Sequence, residues 1–256
     1  MIKTNYYIDF EFLEGTQENF LGFRTKPTID MISVGVVAED GREFYAISKE
    51  FNLREAWHRY DVKTEDGVRV RVHWIRDNVL KPIFNDLVLL AKNDKEFTSG
   101  RSLSFNYYDL KKLVNRYGLS RNSMKKELTR FLLDPYNTVW NSWDGSEVSY
   151  FENLPKESNI EIEIYGYYSA FDHVCLSWIY GKMIDLPDGI PMYTRDLKQS
   201  IDEYTNRVYK GDISRSEKEV IFKRIGNYPK QENEHNALAD ARWNMKLHNF
   251  LKGLRL

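Results

Sequence analysis

Asp9 and Glu11 stand two residues apart in Tyr6-Tyr7-Ile8-Asp9-Phe10-Glu11-Phe12. Side chains alternate along a strand, so Ile8, Phe10 and Phe12 point one way and Tyr7, Asp9 and Glu11 the other. The flanking aromatics and the apolar run from Ile29 to Val37 place this strand centrally in a sheet. Buried unpaired carboxylates are costly, and neither residue has a Lys or Arg beside it in the sequence. A divalent cation is the simplest partner for the pair; the alternative is a strand tip carrying solvated acids.

Two more acids lie where apolar residues are expected. Asp172 heads the helical series Cys175, Leu176 and Ile179, and Asp240 heads Trp243, Asn244, Leu247 and Leu251. The alternative for Asp172 is a first-turn cap, which needs no place on the apolar face. For Asp240 a solvated position would lie instead beside Arg242 or Lys246. His235 precedes Asp240 by five residues, about one and a half turns, in the entering loop or first turn, where its ring can swing over the same site. The alternative for it is a surface histidine between Glu234 and Asn236. His173 is read as structural, and His58, His73 and His248 show no ligand spacing.

Four carboxylates without soft ligands suit Mg²⁺ or Mn²⁺ and not zinc. Two such ions about 4 Å apart clamp the attacking and leaving oxygens of a phosphodiester, and a nearby histidine can deprotonate the water. The ions would also let an almost neutral protein handle a polyanion. The formal net charge of −1 excludes binding of nucleic acid by bulk attraction.

The elements that must position these residues follow from patterning. The 256 residues, 42% hydrophobic and 29% charged, are enough for a sizeable core. After the first strand, a loop over Phe12 to Lys26 precedes a strand at Thr28 to Ala38, apolar on both faces. Asp40-Gly41 turns the chain into a returning strand at Arg42 to Ile47. Leu53 to Trp57 fits one helical turn, Asp66-Gly67 a turn, and Val68 to Ile75 has strand character. Lys81-Pro82 marks a helix start or break, with a short helix at Asn85 to Ala91 and a solvated loop over Lys92 to Arg101. Helices are expected at Tyr107 to Tyr117 and Asn122 to Leu133, the second capped by Asn122 and ended by Asp134-Pro135. A connection with turns at Asp144-Gly145 and Leu154-Pro155 and a short strand at Thr138 to Trp140 follows. Then come a strand at Ile160 to Tyr165 and helices at Ala170 to Tyr180, Thr194 to Val208 (capped by Thr194), Glu217 to Ile225 and Asn236 to Leu251. This order predicts an α/β layered fold in a single domain, 1–256.

The motifs, in order, resemble the DEDDh exonucleases of the ribonuclease T-like group. Asp9-Phe10-Glu11 is similar to the first motif, Ser169-Ala170-Phe171-Asp172-His173 to the second, and the stretch from His235 to Arg242, with His-x-x-x-x-Asp, to the third. Thr28 to Ser48, Tyr168 to Leu176 and Glu234 to Arg242 resemble a small bacterial family, polyadenylate-specific 3′-exoribonuclease AS. The resemblance implies a ribonuclease H-like α/β fold with a central mixed β-sheet flanked by helices. It implies Mg²⁺ or Mn²⁺, two ions with substrate bound, held by Asp9, Glu11, Asp172 and Asp240, with His235 as general base. The implied activity is 3′→5′ hydrolysis of single-stranded or 3′-overhanging RNA, releasing nucleoside 5′-monophosphates. A polyadenylate preference is not carried over, because residues from about 99 to 156 look like an insertion relative to compact members.

Arg195 and Lys198 are candidates for phosphate contact, and Phe10, Phe12 and Tyr168 for stacking on the terminal base; packing or solvation is the alternative for each. A DNA 3′-exonuclease of the same mechanism and a catalytically silent nucleic-acid-binding module are the competing functions. Cys175 is the only cysteine, and no stretch resembles a secretory signal or a membrane span. A cytoplasmic protein without membrane partners is therefore expected, with a homodimer as the expected oligomer.

Overall fold

In the computed structural model the described residues are 2–18, 21–92, 94–98, 102–133, 139–141, 147–149, 160–208 and 214–254. The chain opens with β1 (Ile2–Gly15), β2 (Thr28–Ala38) and β3 (Glu43–Ile47), then α1 (Leu53–His58) and a hairpin of β4 (Asp61–Glu65) and β5 (Val68–Val72). α2 (Lys81–Ala91), α3 (Lys95–Thr98), α4 (Tyr107–Tyr117) and α5 (Arg121–Leu133) follow, then β6 (Val139–Asn141) and β7 (Glu147–Ser149). The remainder is β8 (Ile160–Gly166), α6 (Ala170–Tyr180), β9 (Arg195–Asp196), α7 (Leu197–Val208), α8 (Arg215–Lys223) and α9 (Ala237–Gly253).

The main sheet has five strands in the order β3-β2-β1-β8-β9. β1–β2 and β2–β3 are antiparallel, whereas β8 joins β1, and β9 joins β8, in parallel. β1 is therefore central, as its aromatic flanks predict. One face packs Tyr6, Ile8, Phe10 and Val34 on Leu128 and Phe131 of α5 and Cys175 and Leu176 of α6. On the other, Leu13 and Ile32 share a core with α2 and α4, and Tyr7 and Val37 pack on Leu238 and Ala241 of α9. The result is an α/β fold with a central mixed sheet flanked by helices, consistent with a ribonuclease H-like arrangement. No helix among the described residues is long and apolar enough to cross a membrane.

Several elements depart from the sequence expectations. β1 runs on to Gly15, because β2 is long enough to pair with it through Thr28. β5 ends at Val72 and residues from Trp74 onward are helical. The helical run passes through Pro82 by way of a π-turn over Arg76–Leu80, in which the Lys81 N–H reaches back to the Arg76 carbonyl. Proline offers no N–H and crowds the carbonyl four residues back, and a widened turn accommodates that. The loop after α2 contains the short α3. Ser120, not Asn122, caps α5: its hydroxyl accepts the Ser123 N–H at 3.2 Å. α7 starts at Leu197 and not at Thr194, because Arg195 and Asp196 pair with β8, and the Asp196 carboxylate takes the Lys198 N–H at 2.8 Å. The turns at Asp144-Gly145 and Leu154-Pro155, and Asp134-Pro135, lie outside the described residues.

Candidate metal centre

β8 pairs with β1 only as far as Tyr7. Beyond that point the edge of β1 has no neighbouring strand, and its backbone groups need other partners. Asn244 of α9 supplies one, its Nδ2 donating to the Ile8 carbonyl at 2.9 Å. Asp172, in the first turn of α6, supplies the other: its Oδ1 accepts the Phe10 N–H at 3.0 Å. The gap left by the short β8 is thus where α6 and α9 both reach the strand that carries Asp9 and Glu11.

Asp9 lies opposite Gly35 of β2. A Cβ on Gly35 would come within 2.2 Å of the Ala237 carbonyl oxygen. Only glycine lets the first turn of α9 rest on the sheet here, and that contact brings Asp240 over Asp9. The helix start is fixed from three sides. The Asn236 side chain accepts the Ala239 N–H at 3.0 Å and donates to Asp86 of α2 at 2.7 Å, and Arg242 grips Glu43 of β3 through two bonds.

Oxygens of Asp9, Glu11 and Asp240 lie within 4.8 Å of one another. Asp172 lines the same cleft, of about 250 Å³, together with His235, Tyr168 and Asn244. Asp240 accepts from Gln231 Nε2 at 2.6 Å on one oxygen and from the His235 N–H at 2.8 Å on the other. His235 adopts φ +66°, a left-handed conformation uncommon for a residue with a side chain, and its ring packs edge-to-face on Trp74 at 4.7 Å. The left-handed turn directs the N–H of His235 to Asp240, and the residue lines the acid cleft.

Burial pushes the Glu11 carboxyl up to about 8, and the charges of Asp240 and Asp172 push it the same way. Burial likewise raises Asp172 to about 8, although the Phe10 N–H opposes this. Asp9 is raised by burial and then by Asp172, Glu11 and Asp240; Asp240 is raised by burial against the pull of Gln231 and His235. No Lys or Arg pairs with any of the four among the described residues. The Asn244 Oδ1, also buried, has no hydrogen-bond partner. Hard oxygen donors, mutual repulsion and an orphaned amide oxygen fit a site for a divalent cation such as Mg²⁺ or Mn²⁺.

Of the other residues singled out from the sequence, Phe10, Phe12 and Tyr168 line this cleft, and Arg195 and Lys198 do not. Phe10 is buried in the core, Phe12 packs edge-to-face on Phe171 at 5.7 Å, and Tyr168 is 45% exposed with φ +55°. Arg195 donates to Glu163 at 2.8 Å, and Lys198 is buried against Asp202. Gln231, Trp74 and Asp196 carry no local sequence signal, since each acts through a loop, helix start or strand end brought in by the fold. Asp196 holds the Tyr168 and Ser169 N–H groups, both at 3.2 Å, and so fixes the turn into α6. Asn244 was legible as a polar residue on the inward stripe of α9.

No family model matches the chain. It is distantly similar to the 3′-5′ exoribonucleases of two Mycobacterium tuberculosis strains, each 26% identical over 194 residues, covering 76% of this chain and 71% of the relative.

Proposed function

We propose that the protein is a divalent-metal-dependent 3′→5′ exoribonuclease of the DEDDh type, releasing nucleoside 5′-monophosphates from single-stranded or 3′-overhanging RNA. One observation carries the reading: carboxylates from β1, α6 and α9 converge in one cleft with no Lys or Arg partner among the described residues, beside a histidine held at the same cleft. The motif resemblance and the exoribonuclease relatives support it.

Asp9, Glu11 and Asp240, with Asp172, would hold two Mg²⁺ or Mn²⁺ ions, which when bound neutralise the scissile phosphate and lower the pKa of water. His235 takes the proton of the attacking water. The new P–O bond forms as the bond from phosphorus to the 3′-oxygen of the preceding nucleotide breaks. That oxygen takes up a proton, and the phosphate leaves on the terminal nucleoside. Gln231 and the His235 N–H orient Asp240, and the Phe10 N–H orients Asp172. Phe12 and Tyr168 line the cleft and stack on the substrate; Arg195 and Lys198 lie outside its lining, bonded to Glu163 and Asp202.

RNA labelled at its 5′ end and incubated with Mn²⁺ is expected to give a ladder shortening from the 3′ end, absent with chelator and absent for Asp172→Ala. Retention of intact RNA with either metal would make the protein a nucleic-acid-binding module. Equal or faster cleavage of matched DNA would remove the RNA preference.

A further inference from the structure

The acid cleft does not end at the acids. On one side Phe10, Glu11 and Phe12 also line a larger cleft, of about 580 Å³, that continues past Tyr60 and Trp74. On the other side Tyr167, Gln231 and Trp243 also line a cleft of about 430 Å³ that continues past Lys223, Tyr228 and Lys230. The three form one trough with the carboxylates at its middle.

The two arms differ in charge. The first carries Glu14 and Asp61 beyond the site, and its one cation, Arg59, is bonded to Glu55 and to the Glu14 and Thr16 carbonyls. The second is lined by Lys223 and Lys230, both exposed, and by Glu234. In 3′ cleavage the leaving nucleoside brings no phosphate other than the scissile one, whereas the strand that stays behind carries all the rest. The cationic arm matches the strand that stays.

That arm is also pre-shaped for bases. Tyr167 and Trp243 meet edge-to-face at 5.1 Å, and the Tyr228, Phe222 and Phe250 rings meet edge-to-face in a triangle, each pair at 5.7 Å. The loop between α8 and α9 is pinned by the Trp243 Nε1 bond to the Pro229 carbonyl at 3.0 Å, and Asn227, Asn233 and His235 turn it through left-handed conformations. Aromatic walls fixed before binding lose little entropy when a base stacks on them.

We propose that the cleft of Tyr167, Lys223, Tyr228, Lys230 and Trp243 binds the nucleotides upstream of the scissile phosphate, its lysines contacting their phosphodiesters. This assignment rests on the exoribonuclease reading. It makes Gln231, which lines both this arm and the acid cleft, the residue joining upstream binding to the position of Asp240.

The test compares two substrates with the Mn²⁺-loaded protein: a long single-stranded RNA, and the p-nitrophenyl ester of a nucleoside 5′-monophosphate, which has no upstream strand. For the double variant Lys223→Glu/Lys230→Glu, KM for the RNA is expected to rise about tenfold or more, and the salt dependence of RNA binding to flatten by roughly 0.7 log unit per lysine. Ester hydrolysis is expected to change less than twofold, which also reports an intact fold. Tyr228→Ala should raise the RNA KM selectively as well. A double variant with the parent KM and salt dependence on RNA overturns the upstream subsite and leaves the exoribonuclease reading standing. Equal losses on both substrates overturn it too, since the lysines would then act on the acid site itself. If the parent protein hydrolyses neither substrate, the exoribonuclease reading fails and the subsite falls with it.

Discussion

Glu11 and Glu163 lie on neighbouring strands of one sheet, on the same face, and are almost equally hidden, at 9% and 8% exposure. Their surroundings are opposite. Burial would raise the Glu163 carboxyl, but the Tyr165 hydroxyl at 2.6 Å, Lys3 at 3.0 Å and Arg195 at 2.8 Å outweigh it and bring it down to about 2. Glu11 is driven up to about 8 by burial and by the charges of Asp240 and Asp172. The same sheet thus contains one buried acid supplied with protein cations and one surrounded by like charge. A fold that satisfies Glu163 from three sides leaves Glu11 among carboxylates that could hold a divalent cation.

The sharpest way to break this comparison is to neutralise each acid. Glu11→Gln is expected to lower Mn²⁺-dependent RNA cleavage about a thousandfold or more. Glu163→Gln should leave cleavage within a few-fold and cost about 1–3 kcal/mol of stability, read from urea midpoints, because its partners lose a charged acceptor. Comparable activity losses in the two variants would erase the distinction.

Next in size is Gln231→Ala, which removes the amide that orients Asp240. Mn²⁺ affinity by calorimetry is expected to fall about 10–100-fold, with cleavage recovered at saturating metal. Mn²⁺ itself should stabilise the protein. At a hundred times Kd the linkage amounts to about 2.7 kcal/mol, or roughly 5–10 °C in Tm, and Glu11→Gln should show much less.

The smallest effect is on pH. Glu11 and Asp172 hold protons in the folded state up to about 8, whereas unfolded carboxylates release theirs near 4. Their contribution to stability is therefore complete below about pH 4 and is lost as pH rises through about 8. His248 runs the other way: burial and then Lys252 lower it to about 4, so its contribution is lost as pH falls below about 6.5. Between about pH 6.5 and 8 the acids act alone, and the Tm of the chelated protein should drift downward by a few degrees. Saturating Mn²⁺ should flatten that drift; a rising Tm in the chelated protein would contradict the repulsion described here.

Much of the candidate centre was legible because its signals are local. Alternation along β1 puts Asp9 and Glu11 on one side, and helical spacing puts Asp240 and Asn244 on the inward stripe of α9, whatever the rest of the chain does. Helix ends were less legible where a partner from elsewhere competes: β8 draws Arg195 and Asp196 out of α7, and a hydroxyl two residues earlier caps α5.

The sequence by itself determined which side chains are out of place, since periodicity needs only neighbours within a turn or a strand. Only the tertiary structure decided that they meet. β8 stops at Tyr7 and leaves a strand edge that Asp172 and Asn244 fill, and Gly35 admits the α9 backbone where any Cβ would exclude it. Gln231, Trp74 and the two arms of the trough likewise depend on packing between elements distant in the chain. Contacts between residues far apart in the chain depend on the whole fold, and no local pattern encodes them.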